Sequence, residues 1–299
     1  TLLALYRSYK NNQTDLIIHF TIKPNIYGSM ICSFLNIKSI SFITGIGRIF
    51  LKKRSMLKSI IIKMYKYALK NNKEVWFTNE ADRSLFINNK IINKSITTKI
   101  VPGAGIIFRD FKKNNKMVKG ISFIMISRVL KYKGVIEFLK ASEVYKSNQN
   151  IQFILLGALN DDDPEGVHRD YLDRYIKNDS IRYLGYQEDV IPLLNEASCL
   201  IHPSYREGIS TVLLEAASLK VPIITTTAPG CIDVVPDDRY GLLCKPKSTE
   251  SLKRAIELFL SMKGEEKDKM VDKTYSYVKK NFSREIVLQK YEELDVYIN

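Results

Sequence analysis

Two glutamates, Glu207 and Glu215, stand eight positions apart in HPSYREGISTVLLEAASLKVP, residues 202–222. Pro203 and Ser204 end an apolar run, Gly208 releases the backbone, and Thr211 to Leu219 has helical periodicity. That spacing predicts a helix opening inside the segment, with Ser210 as its N-cap. The N–H groups and positive dipole end of such a helix suit a phosphate or another electron-rich group. One carboxylate on the loop and another one to two turns into the helix can accept hydrogen bonds from hydroxyls on two parts of one ligand. A sugar, a diphosphate and a ribose fit that order. The plain alternative is an amphipathic helix with Glu215 on its surface and Glu207 in a turn, and spacing alone does not separate the two.

Loops of this kind need strands to carry them. GISFIMIS (120–127), IQFILLG (151–157), SIRYLG (180–185), SCLIHPS (198–204), VPIITTT (221–227) and GLLCKP (241–246) are short apolar runs, separated by stretches such as KGVIEFLKASEVYKS with helical periodicity. The alternation implies a doubly wound parallel sheet whose ligand-binding loops emerge at the strand ends. DLIIHF (15–20), KSISFIT (38–44), EVWFT (74–78) and TKIVPG (98–103) show the same rhythm earlier in the chain. IIFRDFKKNNKMVK interrupts it with charge and Asn, which makes residues 106–119 the expected linker. The expected α/β organisation is therefore a Rossmann-like domain over 1–105, a linker, a second Rossmann-like domain over 120–280, and a closing helix over 281–299 that packs back toward the first.

The length of 299 residues, 45% hydrophobic, suits about two domains of ~150 residues with ordinary cores. The chain starts at Thr1 without Met, and TLLALYRSYK reads as a helix already under way, so the first domain is expected to be incomplete. The net charge of +14 is uneven: residues 1–119 hold 22 Lys+Arg against 5 Asp+Glu, and residues 120–299 hold 24 against 27. Much of the excess lies in LKKRSMLKSIIIKMYKYALKNNK (51–73), where eight basic residues alternate with Ile, Met, Tyr and Leu. This pattern predicts a basic amphipathic helix on an anionic membrane surface, the plain alternative being a solvated lysine face over a core stripe. No apolar run approaches the ~18 residues that cross a bilayer, and the opening lacks the order of a signal peptide. The expected location is cytoplasmic, peripheral on the inner face of the cell membrane. Cys32, Cys199, Cys231 and Cys244 lie far apart without a CxxC, which fits core thiols and argues against a structural zinc. GxGxxG and Walker patterns are absent from the sequence.

The segment PSYREGISTVLLEAASLKVPIITTTAPGCIDVV, continued by YGLLCKP (240–246), resembles the signature of the retaining family 4 glycosyltransferases, also called glycosyltransferase group 1. Upstream, SRVLKYKGVIEFLKA is similar to the first loop of that family's donor domain, in which an arginine and a lysine hold the nucleotide diphosphate; here they are Arg128 and Lys133. FSREIVLQKYEELDVYI looks like the family's closing helix. The resemblance implies a GT-B fold, two Rossmann-like domains facing a cleft, with the N-terminal one incomplete here. It assigns Glu207 to the donor sugar, Glu215 to the ribose hydroxyls, and the backbone of Gly208, Ile209, Ser210 and Thr211 to sugar and phosphate oxygens. LGYQEDV resembles the nucleobase loop and places Tyr186 near the base, a buried-edge tyrosine being the plain alternative. The implied reaction moves a sugar from a UDP-sugar to a lipid-linked saccharide of an O-antigen or capsule, with retention and no enzyme nucleophile, the leaving phosphate helping to deprotonate the acceptor. Two cations on one loop can offset a diphosphate without a metal, so no metal or other cofactor is expected.

TIKPNIYGSMIC and SFITGIGRIF resemble the acceptor domain of family members that build bacterial polysaccharide repeat units. Many relatives place a histidine after the strand matching KSISFIT; this chain has Thr44 there, followed by Gly45, so the role of that histidine is not transferred. The family's first Gly-rich loop is also missing from this chain. Asp161, Asp162 and Asp163 invite comparison with a DxD metal motif, but they sit beside Pro164 and Gly166 in a polar turn. His19, His168 and His202 show no ligand spacing, His202 reading as a strand-end residue, and Asp233 reads as a capping or turn residue. Two rivals remain: a GT-B nucleotide-sugar epimerase, which the PSYREG to LLEA signature does not support, and a basic nucleic-acid-binding protein, which leaves the donor motifs unexplained. Nucleic acid is therefore not an expected partner.

Overall fold

The computed structural model describes residues 2–12, 14–47, 50, 55–93, 95–108 and 120–292. The chain divides into two compact units, Thr1–Gly105 with Arg284–Asn299, and Ile106–Ser283.

In chain order the first unit holds α1 (Leu2–Asn11), β1 (Leu16–Phe20), α2 (Ser29–Leu35), β2 (Lys38–Ile43), α3 (Met56–Ala68), β3 (Glu74–Phe77), α4 (Glu80–Asn88) and β4 (Thr97–Ile100). The strands form a parallel sheet in the order β1-β2-β3-β4. Its middle strands bury Ile40, Phe42, Val75, Trp76 and Phe77, with Ser39, Ser41 and Glu74 also inside, as strands covered on both faces do. Asn79 starts α4 by accepting the backbone N–H of Asp82 at its Oδ1, 2.8 Å away.

The second unit continues with β5 (Ile121–Ile126), α5 (Val135–Ser142), β6 (Ile151–Leu156), α6 (Arg169–Lys177), β7 (Arg182–Tyr183), α7 (Ile191–Glu196), β8 (Cys199–His202), α8 (Thr211–Ser218), β9 (Ile223–Thr226), β10 (Leu242–Cys244), α9 (Thr249–Ser261) and α10 (Gly264–Phe282). All neighbours in its sheet are parallel, in the order β10-β9-β8-β5-β6-β7. Successive residues of β5 feed opposite faces, as a period of two requires. Phe123 and Met125 pack with Phe138, Leu172 and Phe259, whereas Ile124 and Ile126 pack with Leu194, Leu213 and Val278. Each apolar run read as a strand from the sequence is one in the structure. The four cysteines are free and buried.

After Ser283 the chain returns to the first unit as α11 (Arg284–Glu292). Val287 is buried among Ile40, Phe42 and Trp76, Tyr291 meets Trp76 edge-on at 5.3 Å, and Lys290 Nζ donates to Ile100 O at 3.0 Å. The expected start of this closing helix at 281 falls inside α10, because Val278 and Phe282, one turn apart, are buried in the second unit. The linker expectation is corrected in part too. Ile106 and Phe108 pack on the second unit, with Ile106 N donating to Phe282 O at 2.8 Å, and the rest of the segment, 109–119, lies outside the described residues.

Candidate functional site

The strand order reverses between β5 and β8, which are neighbours although β6 and β7 come between them in sequence. At such a reversal the crossovers leave in opposite directions and open a crevice at the carboxyl ends of the strands. The loop after β5 carries Arg128 and Lys133, and the loop after β8 carries Glu207. Backbone contacts fix them: Tyr205 N donates to Tyr132 O across the two loops, and Glu207 N donates to Pro229 O in the loop after β9, both at 2.9 Å. Two glycines permit this approach. Gly134 has φ +79°, and a Cβ there would lie 2.1 Å from Pro203 O; Gly230 has φ +81°, and a Cβ there would lie 2.4 Å from Glu207 O.

Four side chains converge on this point. Lys133 Nζ donates to Glu207 Oε1 at 2.6 Å and to Oε2 at 2.8 Å, with the two side chains 16% and 12% exposed. His202 Nε2 lies 3.2 Å from Glu207 Oε1, and Ser210 Oγ lies 3.2 Å from the same nitrogen. Burial by itself pushes the Glu207 carboxyl up, but hydrogen bonds and charge from His202 and Lys133 outweigh it and hold the group at about 2. Glu207 is thus an ionised carboxylate whose charge Lys133 and His202 together offset.

The other expected residues fall around this cluster. Arg128 is exposed on the same loop as Lys133, its Nη2 donating to Tyr132 OH at 2.8 Å. Ser210 occupies the N-cap position of α8 with extended backbone, yet the expected cap is corrected: its side chain makes no capping bond, since its hydroxyl serves the buried imidazole of His202. Gly208 and Ile209 are half-buried on the approach to α8, and Thr211 opens the helix exposed. Glu215 lies one turn further on, its carboxyl raised by burial and then by the charge of Asp189. That influence sets α8 beside the loop that also carries Tyr186, 72% exposed and so not the buried-edge tyrosine of the alternative. Asp233 Oδ2 accepts from Gly230 N at 2.9 Å, a turn contact. Asp161 and Asp163 likewise accept backbone N–H groups, from Arg169 and Glu165. Among the described residues no group of three or more His, Cys, Asp or Glu is placed to hold a metal ion.

In the first unit, Thr44 and Gly45 follow β2 directly, Thr44 exposed and Gly45 at φ +149°. The neighbouring β1 leads into Thr21 at φ +67°, a strained value for a β-branched residue, and then a π-helical turn, Pro24–Gly28. Asn25 in that turn donates to Phe42 O at 2.9 Å and ties it to the end of β2. Sequence reasoning missed the contact between His202 and Glu207. Its signal was a histidine closing an otherwise apolar strand, five residues before a loop carboxylate.

The family model "Glycosyl transferases group 1" matches residues 107–277. The N,N'-diacetylbacillosaminyl-diphospho-undecaprenol alpha-1,3-N-acetylgalactosaminyltransferase of Campylobacter jejuni is 27% identical over 271 residues, covering 86% of this chain and 70% of that relative. The capsular polysaccharide biosynthesis glycosyltransferase CapM of Staphylococcus aureus is 22% identical, over 98% of this chain and 80% of its own length. Among solved structures, Anabaena HepE in complex with UDP superposes with a TM-score of 0.82 at 15% identity, covering 98% of this chain and 80% of HepE. Sucrose-phosphate synthase of Thermosynechococcus elongatus gives 0.84 at 18% identity, covering 99% and 77%. These likenesses show the GT-B fold, and with the family match over most of the second unit they establish that the chain belongs to the group 1 glycosyltransferases.

Proposed function

We propose that the chain transfers a hexose or N-acetylhexosamine from a UDP-sugar to a lipid-linked saccharide, with retention at the anomeric carbon, in the assembly of a surface polysaccharide. The observation that carries this reading is the cluster of Lys133, Glu207, His202 and Ser210 at the point where the strand order of the second unit reverses. A lipid-linked substrate is in keeping with the name of the Campylobacter relative, and UDP with the HepE complex. On this reading Lys133 and Arg128 offset the diphosphate and stabilise it as a leaving group without a metal. Glu207 meets the donor sugar, Glu215 the ribose, Tyr186 the base, and the backbone from Gly208 to Thr211 the sugar and phosphate oxygens. The first unit binds the acceptor, through the strand end carrying Thr44 and Gly45, and the leaving phosphate takes the proton of the acceptor hydroxyl. Incubation with a panel of UDP-, GDP- and ADP-sugars and a polyprenyl-diphosphate saccharide tests this. UDP release coupled to a product of retained anomeric configuration is expected; turnover only with GDP- or ADP-sugars overturns the donor assignment.

The same reading places the first unit on an anionic membrane surface. No helix among the described residues is long and apolar enough to cross a membrane. Of the segment 51–73, residues 51–54, and with them Lys52, Lys53 and Arg54, lie outside the described residues. The rest forms α3 and a 3₁₀ turn, Leu69–Asn71, after it; α3 exposes Met56 (83%), Leu57, Ile60 and Tyr67 (71%) beside Lys63 and Lys66, and the turn exposes Lys70. Lys58 instead turns to Phe50, donating to its carbonyl at 3.4 Å. A hollow of about 420 Å³ next to the helix joins Lys66, Lys70 and Lys90 to Ile87, Ile91, Ile92 and Ile96, cations around an apolar floor that suits a headgroup boundary. Reversing Lys63, Lys66 and Lys70 to Glu is expected to weaken co-sedimentation with phosphatidylserine vesicles by at least about 100-fold, at roughly 1 kcal/mol per basic residue near the surface. UDP binding should be untouched. Equal pelleting of variant and parent returns α3 to a solvated face.

A further inference from the structure

We propose that His202 is a positioning residue for the transfer. Its Nε2–H holds the Glu207 carboxylate in place and seats the Ser210 hydroxyl at the start of α8, so that one proton organises both groups. The ligand's identity rests on the donor reading above; the arrangement of the three side chains does not.

His202 closes β8 and is 2% exposed, with Cys199, Leu200 and Ile201 before it. A polar ring so buried is costly unless its nitrogens are used. Nε2 has two oxygens at 3.2 Å, Glu207 Oε1 and Ser210 Oγ. An ionised carboxylate can only accept, so the proton between them belongs to Nε2. Ser210 Oγ then accepts a share of that proton. Its own hydrogen points elsewhere and is left as a donor for a sugar or phosphate oxygen at the helix mouth. Nδ1 has no hydrogen-bond partner among the described residues, so only the Nε2 contacts fix the ring's polar side. The backbone is pinned separately, His202 O accepting from Thr225 Oγ1 at 2.8 Å.

The arrangement has a consequence for the bound state. Lys133 holds both oxygens of Glu207 in this structure. A diphosphate competes for that ammonium, whose three donors can be divided between the two anions. As Lys133 turns toward the ligand, the His202 contact remains, and it restrains Glu207 from swinging with the lysine.

The test compares substitutions that differ in reach and hydrogen bonding. His202→Gln keeps an N–H donor near the position of Nε2, His202→Asn carries one that stops short, and His202→Leu fills the space without a donor. Folded His202→Leu and His202→Asn are expected to turn over roughly 10- to 100-fold more slowly, as misplacement of a reacting group predicts. UDP affinity by calorimetry should stay within a few-fold of the parent, and His202→Gln should recover most of the rate. A His202→Leu variant with the parent's kcat overturns the proposal, as does a Gln variant no better than Leu. Because the chain has three histidines, 15N-detected spectra of the parent give a second readout that needs no substrate or variant. A proton on Nε2 of His202 is expected, and a bare Nε2 overturns the proposal even if every variant fails to fold. A parent that turns over no UDP-sugar counts against the donor reading alone, since the spectra still decide the placement of the proton.

Discussion

Replacing Lys133 by alanine lowers UDP affinity by about 100-fold or more, measured by titration calorimetry, and adding Glu207→Gln to that variant restores part of the loss. The reason is that Lys133 does two things at once. On the proposed reading it supplies a cation for the diphosphate, and in the structure it covers a carboxylate that it contacts at 2.6 and 2.8 Å. Its removal leaves Glu207, 12% exposed, as an anion beside the place where the ligand's negative charge must sit. Breaking a nearly buried pair from one side costs roughly 3 kcal/mol in stability, so thermal melts accompany the titrations and UDP-saturated samples serve as the reference. The partial restoration is the decisive outcome, because a lysine that acted only as a phosphate cation would show additive losses with Glu207→Gln. Arg128, exposed and bonded to Tyr132, is expected to cost less alone, and the Arg128→Ala, Lys133→Ala double variant should lose detectable UDP binding.

Glu207→Gln is expected to lower turnover by about 10²- to 10³-fold while changing UDP affinity far less, since on the proposed reading it removes a charge aimed at the reacting sugar. Glu215→Gln shows the opposite split, mainly weaker UDP, because it stands one turn into α8 beside the loop of Asp189 and Tyr186. An exchange of these patterns would exchange the two roles. Glu207→Gln also has a stability signature. In the folded chain the carboxyl is held at about 2, against 4.5 for a free group. A depressed carboxylate contributes stability that is complete above the unfolded value and is lost as pH falls through the folded one. The parent should therefore lose roughly 3 kcal/mol from this group between about pH 4.5 and 2, and Glu207→Gln should lack that component of the acid slope. Denaturant melts across that range measure it, and parallel slopes for the two proteins would show that the pair does not hold the carboxyl down.

Sequence alone determined the elements. Apolar runs rich in Ile, Val and Phe, short and bounded by Gly, Pro or Ser, read as buried strands, and the periodicity after Gly208 as a helix, so the elements that carry the site were legible in the sequence. The charge asymmetry and the separated cysteines were equally plain. Tertiary structure decided which loops meet. Lys133 and Glu207 are 74 positions apart, and nothing in local periodicity says that β8 lies against β5 with β6 on the other side. That order brings the two loops to one crevice, and with it come a carboxylate held ionised, a histidine that is more than a strand end, and a serine whose hydroxyl serves the imidazole instead of capping its helix. It likewise decided that α10 runs on to Phe282 before α11 crosses back to bury Val287. The physical reason is one of range. Backbone periodicity and turn chemistry act over a few residues and are written in the order of the chain, whereas the partner of a buried polar group is set by packing between segments that the order does not relate.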